Sequence, residues 1–261
     1  MTKRKALTEE GWLSSESTHV LLCELTQHRG AARTAAGRRL LRLFGCTCCR
    51  QCWHLFTDAD SRRAVEVAGR YADGRAIRAD LQAARRSAEA AEQRAMDRVL
   101  QVTGGRASRA GQLPPDVVTA HQARGTAAAA VATVAAGDLA RAVESAAMHC
   151  CLAAVAGQER WDDPRPVRFA VEAMQCVLLR NLSNPFQSPS PIDPTVLAHD
   201  GGAARRLAAS IYQERRFEDL PVLADLLEEA GLADAELLGH LRAPGPHVLG
   251  CFVLDAVVGR S

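Results

Sequence analysis

The stretch Arg78–Val102, RADLQAARRSAEAAEQRAMDRVLQV, decides the fold class. Leu81, Ala84, Ala88, Ala91, Ala95, Val99 and Val102 recur at three- and four-residue spacing. In a helix these positions fall on one stripe. The other positions are mostly Arg, Glu, Gln and Ala, which favour helix, and no Gly or Pro interrupts them. The stretch reads as a long amphipathic helix with a buried face of alanine, over which neighbouring helices can approach closely.

The same period continues toward the N-terminus. Between Thr34 and Phe56 it is carried by Leu40, Leu41, Phe44, Cys48, Cys52, Leu55 and Phe56. Thr57-Asp58 and Asp60-Ser61 are N-cap candidates for a helix bearing Ala64, Val65, Ala68 and Tyr71, which stops near Gly74. Val20, Leu21, Glu24 and Leu25 predict a helix that Gly30 ends. Thr8-Glu9-Glu10 opens an acidic first turn leading to Trp12 and Leu13.

Toward the C-terminus, residues 103–115 form a break containing Gly104, Gly105, Gly111, Pro114 and Pro115. Pro115 suits the first turn of a helix that includes Ala127–Ala130. Gly137-Asp138 then joins to a helix ending near Gly157, and Val167–Leu182 makes another. Pro185, Pro189, Pro191 and Pro194 make a second break over residues 183–194, because no helix survives that density of proline. The tail reads as helices over Ala203–Arg215, Glu218–Ala230 and Ala233–Leu241. Pro246–Val258 is a helix by period, yet it is short and rich enough in Val, Leu and Phe to read as a buried strand. The expectation is one all-α domain over residues 1–261, a compact array of about eight to ten helices with little or no β. The bulky apolar residues lie in the N-terminal block and the C-terminal tail, so these two are expected to pack together.

Composition points the same way. Of 261 residues, 48% are hydrophobic but only 4% aromatic, and forty-eight are alanine. A core of Ala, Leu and Val suits close-packed helices and disfavours large sheets. No apolar run reaches the length of a membrane span, and no hydrophobic leader follows Met-Thr-Lys-Arg-Lys, so a soluble, cytoplasmic protein is expected. The net charge of +2 predicts no strong affinity for polyanions. Residues 1–109 hold 20 Lys and Arg against 12 Asp and Glu, and residues 110–261 hold 12 against 18. Nine cysteines, an odd number that includes adjacent pairs, argue for reduced thiols rather than a disulfide framework.

The block Leu41–Gly74, LRLFGCTCCRQCWHLFTDADSRRAVEVAGRYADG, resembles an uncharacterised paralogous family of planctomycete bacteria. The likeness resumes at Leu207–Leu232, LAASIYQERRFEDLPVLADLLEEAGL, and at His240–Arg260, HLRAPGPHVLGCFVLDAVVGR; the Trp12-Leu13 pair also fits. The resemblance implies a helical fold and no activity, cofactor or site residue. The family pattern has an aliphatic residue where Cys52 stands and a cysteine where Leu241 stands.

Four constellations bear on chemistry. Cys46, Cys48, Cys49 and Cys52, followed by His54, place four thiols in seven residues, which raises the question of zinc or an iron–sulfur centre. A single straight helix brings only two or three of them to one point, and the flanking Phe44, Trp53 and Phe56 favour a buried helix with cysteine as a small hydrophobe. His149-Cys150-Cys151 is a second set, but helical neighbours point about 100° apart, so His149 does not serve Cys150. The third set is His240, the rigid Pro244-Gly245-Pro246 turn, His247, Cys251 and Asp255. The turn can bring His240 and His247 together, and in a helix His247, Cys251 and Asp255 share a face. Arg33, Arg38, Arg39, Arg42 and Arg50 form a basic set, read as a solvated face or as partners of the acidic tail. Phosphate-binding glycine loops, HExxH and GxSxG are all absent from the chain.

The functional expectation is a non-enzymatic helical interaction or scaffolding module. Another protein is the expected partner, contacted through His240, Pro244, Gly245, Pro246 and His247; neither membrane nor nucleic acid is expected. No cofactor and no metal is assigned, Cys46, Cys48, Cys49 and Cys52 being the metal candidates. The alternative is a thiol- or metal-dependent enzyme or sensor using Cys46–Cys52 or His247 and Cys251.

Overall fold

Alanine-faced helices need neighbours on several sides, and helix packing is what the chain adopts. The structure is a computed structural model that describes residues 5–56, 58–103, 139–156, 163, 165–186 and 191–260. Among the described residues there are eleven α-helices and no strand, so the fold is all-α as expected. The break over 104–115, the Ala127–Ala130 helix, the Gly137-Asp138 joint and residues 187–190 lie outside the described residues. So do the side chains of Ala95, Val99 and Val102. No described helix is long and apolar enough to cross a membrane. The chain groups into two units, Met1–Cys176 and Val177–Ser261.

In the first unit, α1 (Glu9–Ser14) is capped by Thr8, whose Oγ1 accepts from Gly11 N at 3.1 Å. Ser17 caps α2 (Thr18–Cys23), which runs into a π turn, Glu24–His28, before Gly30 at φ +66° ends the run. The carboxylate of buried Glu24 accepts from Leu7 N and from Arg29 Nε, each at 2.9 Å. Thr34 caps α3 (Ala35–Gln51) through Gly37 N at 3.0 Å. Asp58 caps α4 (Ala59–Ala72) by accepting from Asp60 N and Ser61 N. Helix α5 (Arg78–Thr103) covers the stretch read first in the sequence, and Leu81, Ala84, Ala88 and Ala91 of its stripe are buried. Helices α6 (Leu139–Ala156) and α7 (Arg165–Leu182) follow. Helix α3 packs against both α4 and α6, and α5 packs on α4. With neighbours on more than one side, α3 buries seven consecutive residues, Leu43 to Cys49, where a surface helix would bury a single stripe. Small residues make this possible, since Gly45, Cys46, Thr47, Cys48 and Cys49 let other helices approach closely.

In the second unit, Asp193 and Pro194 start α8 (Pro194–Glu214), which kinks where His199–Gly202 leave helical geometry. A 3₁₀ turn, Phe217–Asp219, leads into α9 (Leu220–Glu229); α10 (Ala235–Arg242) is capped by Asp234. The last segment resolves as a helix, α11 (Phe252–Val258), preceded by an irregular stretch. Helices α8 and α10 pack on α9, and α11 packs on α8 and α10, around Leu179, Ile211, Tyr212, Leu223, Leu227, Leu241 and Leu254. Arg242 ties α10 to α9 through Asp225 and Glu228.

Candidate functional site

Three segments within Val177–Ser261 deliver the side chains, the first being the end of α7. Asn181 stands in the last turn of α7 and His240 in the last turn of α10. The chain then turns through Pro244 and Gly245, the latter at φ +79°, to His247 and to Cys251, the N-cap of α11. The rings of His240 and His247 stand 5.1 Å apart, centroid to centroid, so the turn does bring them together. His247 and Cys251 meet because the loop folds back and not because they share a helix face. His240, His247 and Cys251 each place one ligating atom within 4.8 Å of the others.

The hydrogen bonds define which atoms carry lone pairs. His247 Nε2 lies 3.0 Å from Ala243 O, and a carbonyl only accepts, so that nitrogen carries the proton. His247 Nδ1 is therefore an acceptor, 3.4 Å from Asn181 Nδ2. The same amide nitrogen donates to His240 Nε2 at 3.3 Å, and the Cys251 thiol donates to it at 3.1 Å. Both imidazole lone pairs thus point to the Asn181 amide nitrogen, and the Cys251 sulfur lies beside that of His240. Asn181 Oδ1 is buried and has no hydrogen-bond partner.

Burial controls the protonation. It lowers the His240 imidazolium to about 4, with the neighbouring His247 adding to the effect, so His240 is neutral near pH 7. Burial also raises the Cys251 thiol to about 11, opposed by the Val253 and Leu254 amides and reinforced by Asp255. A neutral imidazole suits metal ligation as it stands, while the thiol must lose its proton.

The other candidates are placed as follows. The thiols of Cys46, Cys48, Cys49 and Cys52 are all buried. Cys46 Sγ donates to Val65 O at 3.6 Å, and Cys52 Sγ lies 3.3 Å from Cys49 O and 3.7 Å from Cys150 Sγ. Cys46 is thus directed at α4 and Cys52 at α6. Among the described residues His240, His247 and Cys251 form the one group of three ligating side chains; the Cys46–Cys52 set does not. Burial raises the Cys48 and Cys150 thiols well above the usual value, which makes them inert nucleophiles. His149 Nδ1 turns to Ser145 O at 2.7 Å and does not serve Cys150. In the basic set, Arg39 pairs with Asp73 and Arg50 with Glu66, while Arg42 lies over the Tyr71 ring. These partners belong to the first unit itself.

Asn181 is the site residue that sequence reasoning missed. Nothing marks it locally, because its partners lie 59 and 66 residues further along the chain. The chain matches no protein-family profile, no curated protein and no solved structure.

Proposed function

We propose that the second unit is a transition-metal-binding module in which His240 Nε2, His247 Nδ1 and Cys251 Sγ are the ligands. The observation that carries this reading is that two imidazoles and a thiol each bring a ligating atom within 4.8 Å of the others. An N,N,S set suits Zn²⁺, and Co²⁺ as its spectroscopic substitute. At metal–ligand bonds of about 2.0–2.3 Å, tetrahedral ligands lie about 3.3–3.7 Å apart. The His240–Cys251 pair at 3.1 Å is already near that spacing, so the wider pair need close by only about 1 Å. Asn181 fits as the fourth group. Rotating its amide turns the two donated hydrogens away and brings the orphan Oδ1 toward the ion. Asp255, buried and one helical turn from Cys251, offsets part of the positive charge.

Titration of the reduced full chain with Co²⁺ tests this. Expected are a thiolate-to-metal charge-transfer band and tetrahedral d–d bands at one ion per chain. Both should vanish in Cys251→Ser, weaken in His240→Ala and His247→Ala, and persist in Cys46→Ala. Bands that survive Cys251→Ser and vanish with Cys46→Ala would overturn the assignment, as would the absence of binding.

A second reading keeps the turn as a protein contact. Pro244 and Gly245 are exposed, and the turn is held by the bond from His247 to Ala243 O, so little conformational entropy is lost on binding. His247→Ala with unchanged folding and loss of a co-purifying protein supports it. A large fall in melting temperature with partners retained makes the turn structural.

A further inference from the structure

The first unit holds a cluster of its own. His19 and Cys23 are one turn apart on α2, with Cys23 Sγ 3.6 Å from His19 Nε2. On its other side the ring meets Glu144 Oε1 of α6 through Nδ1. A carboxylate accepts, so Nδ1 carries the proton and Nε2 presents its lone pair to the thiol. Gln27 Nε2 lies 3.5 Å from the same sulfur and donates to it. Nucleophile, base and orienting carboxylate thus stand in the order that thiol catalysis requires.

Exposure separates this cysteine from the rest. Cys23 is half-buried, whereas the other eight are buried. His19 and Glu144 are about half-exposed, at 49% and 45% of their side-chain surface, so reagents reach them. Both line a cleft of about 110 Å³ whose apolar wall is Leu22, Ala147 and Met148. The Arg168–Glu172 ion pair also lines that cleft. Cys23 is not among the residues that line the cleft and adjoins it through His19.

We propose that Cys23, His19 and Glu144 form a nucleophilic thiol site that takes an acyl group from an ester or thioester. His19 Nε2 accepts the Cys23 proton as sulfur bonds to the carbonyl carbon. The bond to the leaving alkoxide or thiolate then breaks, and that group takes the proton from His19. Water attacks the resulting thioester, gives a proton to His19 and releases the carboxylic acid, and the thiol is restored by the same proton. The sum is hydrolysis of the acyl donor. Glu144 touches neither sulfur nor substrate; it is a positioning residue acting through His19.

Two measurements on the reduced full chain test this. The first is alkylation by limiting iodoacetamide, mapped by peptide mass across pH. Cys23 is expected to react first, and at about pH 6.5 roughly tenfold faster than in His19→Ala. Glu144→Gln, which keeps an acceptor but loses the charge, should fall between the two and move the pH midpoint toward that of an ordinary thiol. The second is p-nitrophenyl acetate, expected to leave an acetyl group on Cys23 and none after Cys23→Ser. Equal alkylation in wild type and His19→Ala overturns the thiol–imidazole pair. A fast Cys23 that takes no acetyl group overturns the acyl-transfer step. All three side chains are at least partly exposed, and circular dichroism confirms that each variant is folded.

Discussion

At the residue scale, His240 carries a measurable consequence. Its ordinary value of 6.5 falls to about 4 in the folded chain, because burial and His247 disfavour the imidazolium. The unfolded chain therefore binds more protons than the folded one between those two values, and stability rises with pH there. The contribution is fully present above about 6.5, is lost as pH falls toward 4, and changes no further below that. The full shift corresponds to roughly 3 kcal/mol, which residual solvent contact reduces toward about 1–2 kcal/mol. Urea unfolding at several pH values should show this loss in the wild type and a much smaller one in His240→Gln. Identical pH profiles for the two proteins would show that the ring is not buried in the way described. That His240 lies near His247 follows from a constrained turn visible in the sequence. That it is buried does not, because Asn181 and Phe252, which surround it, are remote or ambiguous in sequence.

At the scale of the element, local signals were legible wherever a helix is long or conventionally capped. Helix α5 begins at the expected residue and ends one later, and Asp58 caps α4 as its position before an apolar-periodic run implies. The first part of α8 was missed because its few residues before the kink are too short for a period to show. Only Asp193 followed by Pro194 marked it, and that signal sat inside a proline-rich break. The π turn after α2 has no sequence marker of its own. Gly37 shows how a close approach hides in an ordinary helical position. A Cβ there would stand 2.2 Å from Ala31 O, a backbone atom of the 3₁₀ turn Ala31–Arg33. Backbone cannot yield as a flexible side chain does, so Gly37→Ala should destabilise by about 1–3 kcal/mol or more despite alanine's better helix propensity. Thermal melts of Gly37→Ala and Gly69→Ala make the comparison, since a Cβ at Gly69, in the last turn of α4, meets nothing within 4 Å. Gly69→Ala should be neutral or stabilising, and an equal loss in both would point to a general helix effect in place of the clash.

At the scale of the whole molecule, the distribution of thiols reports on how the two units open. Cys46, Cys48, Cys49, Cys52, Cys150, Cys151 and Cys176 are buried in the first unit, and Cys251 alone is buried in the second. A buried thiol reacts only when its surroundings open, so the labelling rate of each cysteine measures a local or global opening free energy. A metal held by His240, His247 and Cys251 stabilises whatever opens together with that site, by about 2.7 kcal/mol at a free concentration near 100 times Kd. Zn²⁺ should therefore slow labelling of Cys251 by about a hundredfold. If the units open separately, Cys48 and Cys150 keep their rates. Equal slowing of all eight would make the chain one cooperative body, as expected from the placement of its bulky apolar residues at both ends of the sequence. His240→Ala separates the coupling from unspecific zinc–thiol chemistry. It removes a ligand without removing any thiol, so it should reduce the zinc effect at Cys251 and leave the first-unit rates as they are.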